Sequence, residues 1–358
     1  MSAARHIVVV GAGIVGASIA WHLVRAGARV TVLAAGGAGG VATPATFAWI
    51  NASWGNPEPY FRLRSRSMRE WSRLAAELPA VGLSWCGGLC WDMPPAKLEA
   101  YAAQHGAWGY YVRLVDATEA ARIEPALAAP PALAVHVAEE GVVEPGAAVA
   151  ALIGDAVARG AVLRADTAVR RLATAGGRVT GVETDAGPIG ADEVVLAAGI
   201  AVPELAAAAG VEVAITAPPG LLVHSKPHPR LLNGLVLAEE AHLRQTADGR
   251  LIAGADFTGA DPGNDPEATA RALLDHATGM LKGAGRVEFD RYTIGLRPTP
   301  LDGFPIVGRP QDSQGLYLAV MHSGMTLAPA VGVFASQELL TGRRDPLIDP
   351  YGPDRARF

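Results

Sequence analysis

Hydrophobic and polar positions recur along this chain with two different periods, and its opening stretch shows both. The unbroken apolar run Ile7-Val-Val-Val10 gives way to small residues, and then to apolar positions at helical spacing as far as Arg25. A second apolar run, Val30 to Leu33, follows. Continuous runs of this length fit strands buried on both faces, and the spacing between them fits a helix, so the pattern predicts a βαβ unit. Its first turn carries Gly11, Gly13 and Gly16, with Ile14 opening the helix. In that setting the first glycine permits a tight turn, the second lets a pyrophosphate reach the backbone, and the third lets helix and strand pack closely. The unpaired N–H groups of the helix start then face the phosphates. The acidic residue that commonly follows the second strand and binds ribose hydroxyls is missing, because Leu33 is followed by Ala34. Either water and backbone hold the ribose, or the dinucleotide is bound less tightly.

After a glycine-rich loop from Ala34 to Val41, the segment from Thr43 and Pro44 through Phe47, Ala48 and Trp49 to Trp54 is too apolar for a solvent loop. It is expected to lie against a flat apolar surface such as a ring system. Tyr60 to Leu78 has helical periodicity, with Met68, Trp71, Leu74 and Leu78 on one stripe. Its basic run, Arg62 to Arg69, reads as a solvated helix face. Short strands are expected at Gly87–Trp91 and Ala134–Val137. Ala147 to Arg159 reads as a helix stopped by Gly160. A strand at Ala161–Arg164 follows, then a hairpin in which Val169–Leu172 pairs with Arg178–Thr184 across Gly176-Gly177. Asp192 to Gly199 is a further buried strand, and its small end, Ala197-Ala198-Gly199, lets backbone approach the cofactor again.

The next stretch carries strand candidates at 212–217, 220–225, 235–237, 242–245 and 250–253, with Asp248-Gly249 as a hairpin turn between the last two. A helix is expected over Pro266–Leu281, a strand over Gly315–Val320, a turn at His322–Met325, and a helix over Thr326–Leu340 with Pro329 in its first turn. This interleaving predicts an α/β chain with two discontinuous domains. A Rossmann-type dinucleotide-binding domain takes 1–54, 141–205 and 288–358, and a mainly antiparallel α+β substrate domain takes 55–140 and 206–287.

Composition narrows the function classes. With 358 residues, 50% hydrophobic, 18% charged and a formal net charge of −5, the chain is globular and lacks the basic excess of a nucleic-acid binder. The most apolar window, Val194 to Thr216, is broken by Pro203, Glu204 and Glu212, so no membrane span is expected. Met1 to Arg5 leads straight into the first strand without a cleavable apolar segment, and the expected location is cytoplasmic. Cys86 and Cys90 lack a second ligand pair, so no metal site is expected, and they read as buried structural thiols.

The last chemical signal lies in Gly295-Leu-Arg-Pro298 with Asp302-Gly303 and Pro305, and in His322-Ser-Gly-Met-Thr-Leu-Ala-Pro329. Together with the opening glycines and Ala197-Ala-Gly199, these motifs resemble the FAD-dependent amino-acid and amine oxidoreductases, the family of glycine oxidase, D-amino-acid oxidase and monomeric sarcosine oxidase. The resemblance covers nearly the whole chain. It implies that Arg297 grips a substrate carboxylate, a task suited to a planar guanidinium. It also places His242 where glycine oxidase has a tyrosine facing the flavin, and His322 where it has a second arginine. Gly324, Met325 and Thr326 would meet the flavin at a helix start, whose amides favour negative charge. Phe47, Ala48 and Trp49 would run along the flavin ring.

No cysteine lies between Ile294 and Pro305, where sarcosine-oxidase-like relatives tether the flavin, so FAD is expected to be non-covalent. The implied reaction is oxidation of the C–N bond of a small amino acid or amine by hydride transfer to FAD. The alternative is a partner-dependent or non-catalytic flavin subunit of a heteromeric dehydrogenase. A homo-oligomer and an electron-acceptor partner are both left open. A nicotinamide enzyme would need a second nucleotide-binding glycine motif, which is absent.

Overall fold

The computed structural model describes residues 4–52, 55–256 and 259–355. Ser53 and Trp54, which end the apolar segment read from the sequence, lie outside them. The strand His6–Val10 is central in a six-stranded sheet, between Arg29–Leu33 and Glu193–Leu196, with Val162–Arg164 at one edge. Leu316–Val320 continues the parallel array, and only Ile306–Gly308 runs antiparallel, at the other edge. Ile7 and Val9 pack into one core and Val8 and Val10 into another. Burial on both faces explains why these strands read as unbroken apolar runs.

Against this sheet the helix Ile14–Arg25 packs between Pro145–Ala158 and the last helix, Gly324–Thr341. The last helix begins two residues earlier than the sequence predicts, so Pro329 lies inside it and not in its first turn. Proline has no N–H to give the carbonyl four residues back. That carbonyl, Met325 O, instead accepts the Trp71 indole N–H at 2.9 Å. Ser67 Oγ accepts the Ala330 N–H at 3.2 Å, and Ser18 Oγ donates to Ala328 O at 2.7 Å. Side chains from two neighbouring helices thus stabilise the site of the interruption.

The second sheet has eight strands, ordered from Phe289–Leu296 through Pro219–Pro227, Arg250–Gly254, His242–Gln245, Leu235–Ala238, Gly88–Trp91 and Leu133–Val137 to Val112–Asp116. All neighbours are antiparallel except Leu235–Ala238 with Gly88–Trp91. Phe289–Leu296, grouped by the sequence with the nucleotide-binding segments, pairs here along Pro219–Ser225. The chain returns to the six-stranded sheet only after Leu296. The strand expected over 212–217 shortens to Ile215–Thr216, paired with Thr299–Pro300.

One expectation holds only in part. In the helix Glu58–Glu77 the basic run exposes Arg62 and Arg69 and half-exposes Arg66, but Arg64 is buried with Leu63, Ser67 and Met68. Its outer arginines pair along the helix, Arg62 with Glu58 at 2.8 Å and Arg66 with Glu70 at 2.7 Å. Among the described residues no helix is long and apolar enough to cross a membrane, and no cluster has the make-up of a metal site.

Candidate active site

A cavity of about 640 Å³ opens where the ends of the parallel strands meet the second sheet. One end is built from backbone and small side chains. A Cβ on Gly11 would stand 2.3 Å from Ala197 O, and one on Gly16 would stand 2.0 Å from Gly11 O. Strand, turn and helix therefore touch through bare backbone. Gly13 is the N-cap and has no side chain to cap the helix, and the first turn holds no acid. Thr43 Oγ1 accepts the Ile14 N–H at 3.2 Å. Such a cradle, with backbone N–H groups at a helix start and no competing carboxylate, fits a dinucleotide pyrophosphate.

Most of the residues read from the sequence are brought together here. Gly11, Gly13, Ile14, Leu33, Ala34, Thr43, Phe47, Ala48, Trp49, Val169, Ala198, Gly199, Arg297, His322, Gly324, Met325 and Thr326 all line the cavity. Gly16 does not, since its part is the close packing just described, and neither does Pro44. Ala48 holds a left-handed backbone, φ 61°, which a residue with a Cβ adopts at some strain. Thr46 Oγ1 accepts its N–H at 3.2 Å, and the next side chain, Trp49, donates its indole N–H to the buried Glu140 at 2.8 Å. Tyr110 donates to the other oxygen of Glu140, also at 2.8 Å. A strained turn buttressed from behind shapes the wall along which a flat ring can lie.

His242 is placed differently from the sequence expectation. It is 1% exposed, its Nε2 lies 2.9 Å from Asp92 Oδ2, and it does not line the cavity. Phe47, whose ring centroid is 6.4 Å from that of His242, takes the lining position. The other oxygen of Asp92 accepts the Cys90 thiol at 3.1 Å. Burial, then the Asp92 charge, raise the Cys90 pKa well above its ordinary value, so the thiol stays protonated.

The cavity wall also carries Arg297, His322 and a residue the sequence reading missed, Arg64. Arg297 follows the last residue of Phe289–Leu296; its Nη2 donates to Pro219 O at 3.4 Å, while its buried Nε has no partner among the described residues. Burial lowers its pKa, with Asp256 opposing. Arg64 is 6% exposed. It donates from Nε to Asn51 O at 3.0 Å, from Nη2 to Asn51 Oδ1 at 2.5 Å and from Nη1 to Ser323 Oγ at 2.7 Å. The signal for its burial was present in the spacing, since Tyr60, Arg64, Met68 and Trp71 form one helical stripe and are all buried.

His322 lies between the two guanidiniums electrostatically. Burial first, then Arg297 and Arg64, lower its pKa from 6.5 to about 4. The imidazole is therefore expected to stay uncharged through the neutral range. The reductive reaction should accordingly show no inflection from this group between pH 6 and 8. A profile over that range that loses a limb in His322→Gln would contradict the assignment.

The nucleotide end leads to a second expectation. Ala34 lines the cavity with its N–H bonded to Arg164 O and its carbonyl to the Thr167 N–H, and no carboxylate lines the cavity among the described residues. A charge-assisted hydrogen bond contributes about 1.5–3 kcal/mol. Ala34→Glu should therefore retain FAD about ten- to a hundredfold more tightly, read as the dissociation constant of the reconstituted apoprotein. An unchanged constant would mean that the ribose is already fully held by backbone and water.

Comparison with known proteins agrees with this geometry. A glycine oxidase of Pseudomonas aeruginosa is 29% identical over 384 residues, covering 98% of each chain. The crystal structure of L-proline dehydrogenase from P. horikoshii matches with a TM-score of 0.88 at 25% identity, over 98% of this chain and 97% of that one. Glycine oxidase from Geobacillus kaustophilus matches with a TM-score of 0.89 at 24% identity, over 99% and 100%. The family model described as DAO, FAD dependent oxidoreductase, spans residues 6–337. The chain belongs to that family and is an FAD-dependent oxidoreductase acting on amino acids or amines.

Proposed function

We propose that the cavity binds an amino acid through its carboxylate at Arg297 and that the chain oxidises the substrate's C–N bond. The observation that carries this reading is Arg297, a cavity-lining guanidinium whose buried Nε has no partner among the described residues. A carboxylate can accept two parallel N–H bonds from such a group. When bound, FAD supplies the hydride acceptor. The wall acts on the amine as well. Among the described residues it offers the substrate ammonium no carboxylate, and burial without a counter-charge disfavours the charged form. The amine is then neutral, so that loss of hydride from carbon and of a proton from nitrogen leaves an imine. Water hydrolyses that imine to an oxo acid and ammonia or an amine. Orientation of the C–H bond is the protein's main contribution.

FAD is held without a covalent link in this account, since Cys86 and Cys90 both lie off the cavity lining. The test is turnover by the purified holoprotein alone, with a soluble dye as acceptor and the oxo acid as readout. Turnover supports a self-sufficient enzyme. Flavin that is reduced by dithionite but by no amino acid would favour the partner-dependent subunit.

A further inference from the structure

Arg64 is unusual for a buried guanidinium. Arg244, the other buried arginine among the described residues, is paired with Glu144 at 3.2 Å. Arg64 has no carboxylate partner among the described residues: its three bonds run to a backbone carbonyl, an amide oxygen and a hydroxyl, and Tyr60 lies 5.4 Å from its charge centre. Removing a cation from water without a counter-charge is costly. The counter-charge is also missing from the space it faces, because among the described residues the cavity wall carries Arg64, Arg297 and His322 but no Asp or Glu.

A guanidinium has five N–H groups. Three of those on Arg64 are used, which leaves one on each terminal nitrogen. Both arginines line the same cavity, and Arg64 holds Ser323 Oγ at 2.7 Å, next in the chain to the cavity-lining His322. We propose that the cavity is built for an amino or imino acid bearing two carboxylates, one held by Arg297 and the second by Arg64. The inference rests on the amino-acid reading above and narrows it. Asn51 and Ser323 keep the Arg64 fork fixed, so its two remaining donors are set in place before the ligand arrives.

The first test needs no variant. Succinate and propionate are titrated into the oxidised holoprotein, and binding is read from the visible flavin spectrum. Succinate should bind at least tenfold more tightly, and equal binding would overturn the proposal. The second compares aspartate with alanine, each as both enantiomers, in wild type, Arg64→Lys and Arg64→Gln. The ratio of their kcat/KM values should favour aspartate in wild type and fall at least tenfold in Arg64→Gln, chiefly through KM. A ratio that stays constant while the flavin midpoint potential shifts would make the reduced cofactor, not the substrate, the anion that Arg64 serves. If neither amino acid reduces the flavin but succinate still binds preferentially, the oxidation reading fails and the two-carboxylate site stands.

Discussion

Arg297→Lys is expected to weaken amino-acid binding about ten- to a hundredfold, with FAD retained and the fold intact. Lysine keeps the charge but replaces a planar fork by a point charge, so one of two parallel hydrogen bonds to the carboxylate is lost. A hydrogen bond to a charged group contributes about 1.5–3 kcal/mol, which sets that range. Little else should change. Among the described residues Arg297 makes one long side-chain bond, to Pro219 O, and its Nε makes none. The check is the apparent dissociation constant for flavin reduction, measured beside flavin content. Unchanged affinity would assign Arg297 to holding Pro219, and flavin loss would place it in cofactor binding.

Gly16→Ala should have the larger effect on the folded protein, and it should act before chemistry does. The added methyl would sit 2.0 Å from Gly11 O and 3.0 Å from Gly11 C. Both are backbone atoms of the turn, so no side chain can rotate away. Overpacking usually costs about 1–3 kcal/mol where neighbours can shift. Here the neighbour is held in turn, since Gly11 donates to Leu33 O at 2.8 Å and faces Ala197 O across its own missing Cβ. The variant should yield little soluble holoprotein and a lowered thermal midpoint. Gly27→Ala, next to open space but at φ 88°, should lose only the smaller increment due to backbone strain. A Gly16→Ala protein that binds FAD like wild type would mean that helix and strand are not in contact as described.

The nucleotide-binding half was legible because its rules are local. Parallel strands buried on both faces produce continuous apolar runs, and close helix–strand contact demands glycine at set intervals. Misreadings occurred where a residue's surroundings come from distant segments. Arg64 was grouped with its charged neighbours, although its position on the Tyr60–Met68–Trp71 stripe points inward toward Asn51 and Ser323. His242 lies on a four-residue strand whose first three positions are all buried, so alternation could not say what stands in front of it. Phe47, almost two hundred residues earlier, settles that. The carbonyl freed by Pro329 is met by Trp71, from another helix, and a proline with such a partner need not mark a helix start.

The most direct test of the central claim is an anaerobic absorbance titration of the purified holoprotein against amino acids and their carboxylate-free amine counterparts. The account predicts that amino acids bleach the flavin and that the matching amines do so only at far higher concentration, a difference that shrinks in Arg297→Met. Equal bleaching by amine and amino acid would contradict carboxylate anchoring at Arg297. No bleaching by either, from a flavin that dithionite reduces, would contradict the assignment of this cavity as a site of C–N oxidation.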